Sequence, residues 1–200
     1  MAKLYFRVAA MNAGKSTSLL QVAHNYEERA MTPLVMTAAI DDRYEAGTVT
    51  SRLGVARPAE RFGPNTNFDL LDMSGIDCLL VDEAQFLRPG QAVQLHRLAA
   101  LRNIPVICYG LRTDFRGQPF EGAAMLLCLA DDIEEIKTIC SCGRKATMNA
   151  RINTAGQRET HGPQLEIGGN GRYTPMCAAC FYRGGRAGAP VAAICEEEAA

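Results

Sequence analysis

The run with the strongest chemical signal is Ala9-Ala10-Met11-Asn12-Ala13-Gly14-Lys15-Ser16-Thr17. It joins an apolar segment, Leu4 to Ala10, to a stretch with helical apolar spacing, Lys15 to Arg29. Apart from Ala9, which stands where the first glycine belongs, it matches the G-x-x-x-x-G-K-[ST] loop that cradles nucleotide phosphates. A tight turn there aims successive backbone N–H groups inward, and the helix that follows adds the positive end of its dipole. Lys15 could then reach the β- and γ-phosphates, and the Ser16 hydroxyl could take a Mg²⁺ coordination position. The same residues also suit an ordinary strand–turn–helix, with Gly14 at positive φ and Ser16 as helix cap.

A second element tilts the balance. Leu79-Leu80-Val81-Asp82-Glu83 is an apolar strand ending in two carboxylates, where a Walker-B acid must sit to reach Mg²⁺. Taken alone, the acid pair is more commonly a solvated strand end. Together with the loop it predicts one nucleotide site, and requires the turn before Lys15 and the acids after Val81 to meet, from neighbouring strands. Adjacent strand residues face opposite ways, so Asp82 and Glu83 should hold different jobs: one faces the metal, the other a general-base position.

Eight cysteines form two groups. Cys140-Ser-Cys142 and Cys177-Ala-Ala-Cys180 are paired thiols suited to a tetrahedral structural Zn²⁺. Cys78, Cys108 and Cys128 sit in apolar runs and are expected to be small buried hydrophobes, and Cys195 an exposed thiol. His24, His96 and His161 have no partner at ligand spacing.

The elements that must position these groups follow an α/β pattern. Strands are expected at Leu4–Ala10, Leu34–Ala39, Ile76–Val81, Ile104–Tyr109 and Ile133–Thr138. Helices are expected at Lys15–Arg29, Phe68–Met73, Gly122–Ala130 and Gly90–Leu101, the last with Val93, Leu95, Leu98 and Leu101 inward. Asp41–Asn67 reads as loop. Residues 1–138 form a nucleotide-binding domain, 139–182 a small metal lobe, and 183–200 a tail poor in apolar weight, expected to be disordered. Lys and Arg (21) nearly balance Asp and Glu (22), which argues against a polyanionic partner. No run approaches the ~20 apolar residues that span a bilayer, and no secretory leader is evident. The expectation is a soluble cytoplasmic protein that binds neither nucleic acid nor membrane.

Four stretches together resemble a known family: Met11 to Thr17; Asp82-Glu83-Ala84-Gln85-Phe86; Tyr109 to Phe120; and the cysteine lobe with Ile167-Gly168-Gly169 and Tyr173. The chain is similar to type II, cytosolic-class thymidine kinases from about Lys3 to Tyr182. The resemblance implies a P-loop NTPase (RecA-like) parallel-sheet core with a C-terminal zinc-binding lasso lobe, and transfer of phosphate from ATP to thymidine or deoxyuridine. Carried over by position, Ala9, Ala10, Met11, Asn12, Ala13, Gly14, Lys15 and Ser16 cradle the ATP phosphates, with Asp82, Glu83, Ala84 and Gln85 beside them. Ser16 and Asp82 hold Mg²⁺, and Glu83 is the base for the 5′-hydroxyl. Asp41 and Arg43 lie near the reacting phosphate. Met11, Phe86, Leu111, Phe115 and Phe120 enclose the thymine ring, although core packing alone would explain Phe86 and Leu111. The stretch Gln164–Gly171 closes over the base and Tyr173 contacts the nucleoside. Asn149 falls where the family often has Thr. Members are usually homotetramers inhibited by thymidine triphosphate. Two other readings remain: a P-loop enzyme with a different acceptor, and a locally basic zinc lobe that binds nucleic acid.

Overall fold

Apolar runs covered on both faces become central parallel strands, and the computed structural model, which describes residues 1–41, 47–164 and 170–184, is built around a six-stranded sheet with such strands at its centre. In chain order the elements are β1 (Leu4–Val8), α1 (Lys15–Glu27), β2 (Pro33–Ala38), β3 (Thr48–Thr50), β4 (Ala56–Pro58), β5 (Glu60–Phe62), β6 (Cys78–Val81), α2 (Pro89–Arg102), β7 (Val106–Gly110), α3 (Glu121–Leu129) and β8 (Asp132–Glu135). The cysteine lobe adds β9 (Thr138–Ile139), β10 (Lys145–Ala146), β11 (Met148–Arg151), β12 (Tyr173–Met176) and α4 (Ala178–Tyr182). The main sheet runs β5-β2-β6-β7-β1-β8, parallel throughout.

Period-two alternation divides the core. Leu79 and Val81 of β6 face a layer holding Leu95, Leu98 and Leu126 from α2 and α3. Cys78 and Leu80 face Leu19, Leu20 and Ala23 of α1, with Val49 of β3 closing over them. All four β6 residues are fully buried, as a strand covered by helices on both sides must be.

Several expectations need correction. Asp41–Asn67 is not simply loop: among its described residues β3 and β4 form an antiparallel hairpin, and β5 joins the sheet edge beside β2. Those strands are three residues each, too short for a periodic signal. On α2 the buried face is Gln91, Ala92, Leu95, Leu98 and Ala99; Val93 (37 % exposed) and Leu101 (80 %) fall on the far side of the 3.6-residue repeat. Cys128 is exposed because the inward stripe of α3 is Gly122, Ala123 and Leu126. The expected short helix at Phe68–Met73 is one 3₁₀ turn, Phe68–Leu70. Finally, β7 stands between β1 and β6, so the two site-bearing strands are not neighbours. Cys195 and residues 185–200 lie outside the described residues.

Helix α3 touches the turn that follows the acid pair at close range: a Cβ on Gly122 would fall 2.3 Å from the Leu87 carbonyl oxygen. Gly122→Ala is therefore expected to destabilise the fold by ~1–3 kcal/mol through overpacking. Urea unfolding measures this, and an unchanged midpoint contradicts the packing.

Candidate active site

The turn after β1 winds tightly through two left-handed residues, Asn12 (φ 64) and Gly14 (φ 83). Asn tolerates that region better than most residues, and Gly is unhindered there. Ala9 is not among the positive-φ residues, and its N–H donates to the Gly110 carbonyl at 3.1 Å. Alanine in place of the first glycine thus brings no backbone strain. The Ser18 N–H to Gly14 carbonyl bond (2.9 Å) starts α1. Ser16 makes no cap bond; its hydroxyl instead donates to Asp82 Oδ2 at 3.0 Å. Lys15 is buried, with Nζ donating to the Ala10 carbonyl at 3.3 Å. The loop and the acid thus meet, although β7 separates their strands.

Strand β6 ends at Val81, so Asp82 and Glu83 do not alternate along a strand as expected. Asp82 Oδ1 accepts from the Glu83 N–H at 3.0 Å, and Glu83 turns into the left-handed region (φ 51). A buried glutamate in that conformation is the kind of local cost found at functional sites. Burial, and next the Glu83 charge, push Asp82 up to about 7, against the pull of Lys15 and the Ser16 hydroxyl. A desolvated carboxylate beside a hydroxyl is a fitting pair of ligands for a hard divalent cation. Glu83 Oε2 accepts from Gln85 Nε2 at 2.5 Å, and Gln85 Oε1 accepts from the Leu111 N–H at 3.1 Å. Gly110 leaves room for this bridge, since a Cβ there would sit 2.9 Å from Gln85 Oε1.

A cavity of ≈ 690 Å³ opens over this constellation, within the usual range for a small-molecule site. Met11 to Ser16, Asp41, Asp82, Glu83 and Leu111 line it. The other expected residues lie elsewhere. Ala9, Ala10, Ala84 and Gln85 are buried behind the wall. Phe86 and Phe120 pack edge-on, with centroids 5.8 Å apart. Phe115 is buried beneath Arg151. Tyr173 pairs with Arg151 across β11 and β12. Arg43 and residues 165–169 lie outside the described residues. Sequence reasoning missed Thr37 and the hairpin residues Thr48 to Leu53, which also line the cavity. The only signal for the hairpin was the short alternation Thr-Val-Thr between Gly47 and Gly54.

The four paired cysteines converge: their Sγ atoms all lie within 4.8 Å of one another, with Cys142 and Cys177 3.6 Å apart. Tetrahedral Zn–S bonds place sulfurs ~3.8 Å apart, so this thiol set fits that metal. Gly143 (φ 79) closes the first pair's turn through its N–H to the Cys140 carbonyl, and Cys177 caps α4 by accepting from the Cys180 N–H. The lobe is also bonded to the phosphate loop: buried Asn149 on β11 accepts from the Met11 N–H at 2.6 Å and donates to the Thr113 carbonyl at 3.4 Å.

A parallel sheet with a phosphate loop after its first strand and an acid pair at a central strand end defines a P-loop nucleotide-binding protein. The family model for thymidine kinase matches residues 2–181. Thymidine kinase of Chromobacterium violaceum is 59% identical over 182 residues, covering 91% of this chain and 99% of that protein. Those of Albidiferax ferrireducens and Mannheimia succiniciproducens are 55% and 53% identical, covering 91% and 90% of this chain and 93% and 95% of theirs. The chain belongs to the thymidine kinase family.

The cysteine geometry makes a direct prediction. The purified protein should carry about one tightly held metal ion per chain. Cys177→Ser should lose it and lower Tm, whereas Cys128→Ser, on the exposed side of α3, should leave both unchanged. Elemental analysis with thermal unfolding checks this; full metal retention by Cys177→Ser contradicts it.

Proposed function

We propose that this chain is an ATP-dependent thymidine kinase, moving the γ-phosphate of ATP to the 5′-hydroxyl of thymidine and of deoxyuridine. The observation that carries the reading is the placement of two buried carboxylates at one strand end with different partners. Asp82 faces the Ser16 hydroxyl, while Glu83 is held by Gln85. The family membership supplies the reaction class.

In this reading the N–H groups of residues 12–16 and Lys15 hold the triphosphate, replacing its hydration with oriented dipoles. Ser16 and Asp82 would hold Mg²⁺, which would neutralise charge on the β- and γ-phosphates. Glu83 accepts the 5′-hydroxyl proton as that oxygen bonds to the γ-phosphorus and the bond to the ADP oxygen breaks. Gln85 fixes the orientation of the carboxylate through Oε2. Asp41 stands on the cavity wall beside the transferring group, and Arg43 is assigned there with it. Met11 and Leu111, which line the cavity, are assigned to the thymine pocket, and Phe86, Phe115 and Phe120 are assigned there with them by their positions in the family pattern, with Tyr173 on the nucleoside. The cysteine cluster holds structural Zn²⁺ in a lobe, 139–182, that closes over the base of the substrate bound to domain 1–138. Among the described residues no helix is long and apolar enough to cross a membrane; we assign the enzyme to the cytoplasm, as a homotetramer.

Glu83→Gln should leave ATP affinity unchanged and lower kcat by at least ~10²-fold, the scale of a lost positioned base. A phosphorylation assay with ATP, Mg²⁺ and a nucleoside panel tests both claims. Unchanged turnover removes Glu83 from that role, and no turnover of thymidine or deoxyuridine by the wild type removes the reading itself.

A further inference from the structure

Strand β11 works on two faces. Ala150, and Ile152 just beyond, pack with Met176 and Phe181 in the core of the cysteine lobe. The alternate residues, Asn149 and Arg151, face the other way, as the two-residue period requires. Asn149 reaches the phosphate loop. Arg151 is only 3 % exposed, and its guanidinium lies 3.7 Å from the centroid of the Phe115 ring.

The same guanidinium is bonded at its edge. Nε donates to Glu159 Oε2 at 2.5 Å, Nη1 to the Pro163 carbonyl at 3.2 Å, and Nη2 to the His161 carbonyl at 3.1 Å. The other Glu159 oxygen pairs with Arg172, whose own carbonyl accepts from the Ile152 N–H at 2.8 Å. A single carboxylate thus ties both ends of the stretch 160–171, and a single guanidinium ties its near end to Phe115. Gly162 measures the closeness: its φ is +125, and a Cβ there would fall 2.3 Å from Arg151 Nη2. Burying a cation this deeply is unfavourable unless its donors are matched. A planar fork with a stacking face meets that demand where an ammonium cannot.

We propose that Arg151 is a positioning residue for nucleoside recognition, locking Phe115 to the segment 159–163 so that the base-side wall is set before substrate arrives. This rests on the kinase reading above, in which Phe115 walls the nucleoside pocket; the phosphate side is built from residues 11–16 and Asp82. Loss of the lock therefore acts on one substrate and spares the other.

The test uses the full-length, metal-loaded protein and two variants. Arg151→Lys keeps the charge but loses the fork and the stacking plane. Gly162→Ala deletes no group of the clamp, but its Cβ would displace the guanidinium from a glycine held at φ +125; thermal unfolding of this exposed site's variant confirms that it is folded before its KM values are read. KM for thymidine, KM for ATP, kcat and bound metal are measured for each. Both variants are expected to raise the thymidine KM by about tenfold or more, the equivalent of ~1.4 kcal/mol, with ATP KM and metal content unchanged. A folded variant whose thymidine KM is unchanged, or whose two KM values rise together, overturns the proposal; if Arg151→Lys does not fold, Gly162→Ala decides alone. A wild type inactive on every nucleoside refutes the kinase reading and this proposal with it, whereas an active wild type with unshifted variants refutes the proposal alone.

Discussion

The Ser16 hydroxyl and the Asp82 carboxylate, 3.0 Å apart, come from opposite ends of the nucleotide machinery, and the fold is arranged so that they meet. Neither belongs to a neighbouring strand of the other. The turn after β1 must pass the end of β7, which it does pinned by the Ala9 N–H on the Gly110 carbonyl. Asp82 is correspondingly fixed through its own N–H on the Met36 carbonyl of β2 (2.8 Å). A carboxylate so deeply buried is held above its ordinary range, a condition that a bound cation would reverse. The local instability and the capacity to bind a metal–phosphate group are one property.

The second carboxylate depends on the first. Since the strand stops at Val81, the left-handed turn at Glu83 sends its side chain to Gln85, and Gln85 in turn fixes the start of the 111–120 loop. That loop is held again from the far side by Asn149 and Arg151. The cysteine lobe is therefore joined to the site through contacts at both the phosphate loop and the 111–120 loop, and not only through the chain. A metal held by the four cysteines would influence the reaction through these contacts, by keeping β11 in place.

Much of this was legible in the sequence because its signals are local. The phosphate loop, the apolar strand ending in acids and the close cysteine pairs each lie within a few residues, and the sheet core follows from runs such as Cys78–Val81 that must be covered on both faces. What escaped depends on distant partners. The hairpin of β3 and β4 is too short to show periodicity and gains its burial from α1. Cys128, Val93 and Leu101 are apolar in type, yet their helices turn them to solvent. Strand order is invisible in a pattern of runs, so β7 between β1 and β6 went unforeseen. The Arg151 clamp likewise arises only when β11, Phe115 and the 159–163 segment are brought together.

The central claim is that the hydroxyl and carboxylate flanking Lys15 hold a metal–triphosphate group. Calorimetric titration of ATP into the wild type and Asp82→Asn, each with and without Mg²⁺, tests it most directly. The account predicts that Mg²⁺ strengthens ATP binding to the wild type by at least ~10-fold and adds little in Asp82→Asn, because the metal's protein carboxylate is gone. An equal Mg²⁺ effect in both proteins contradicts it.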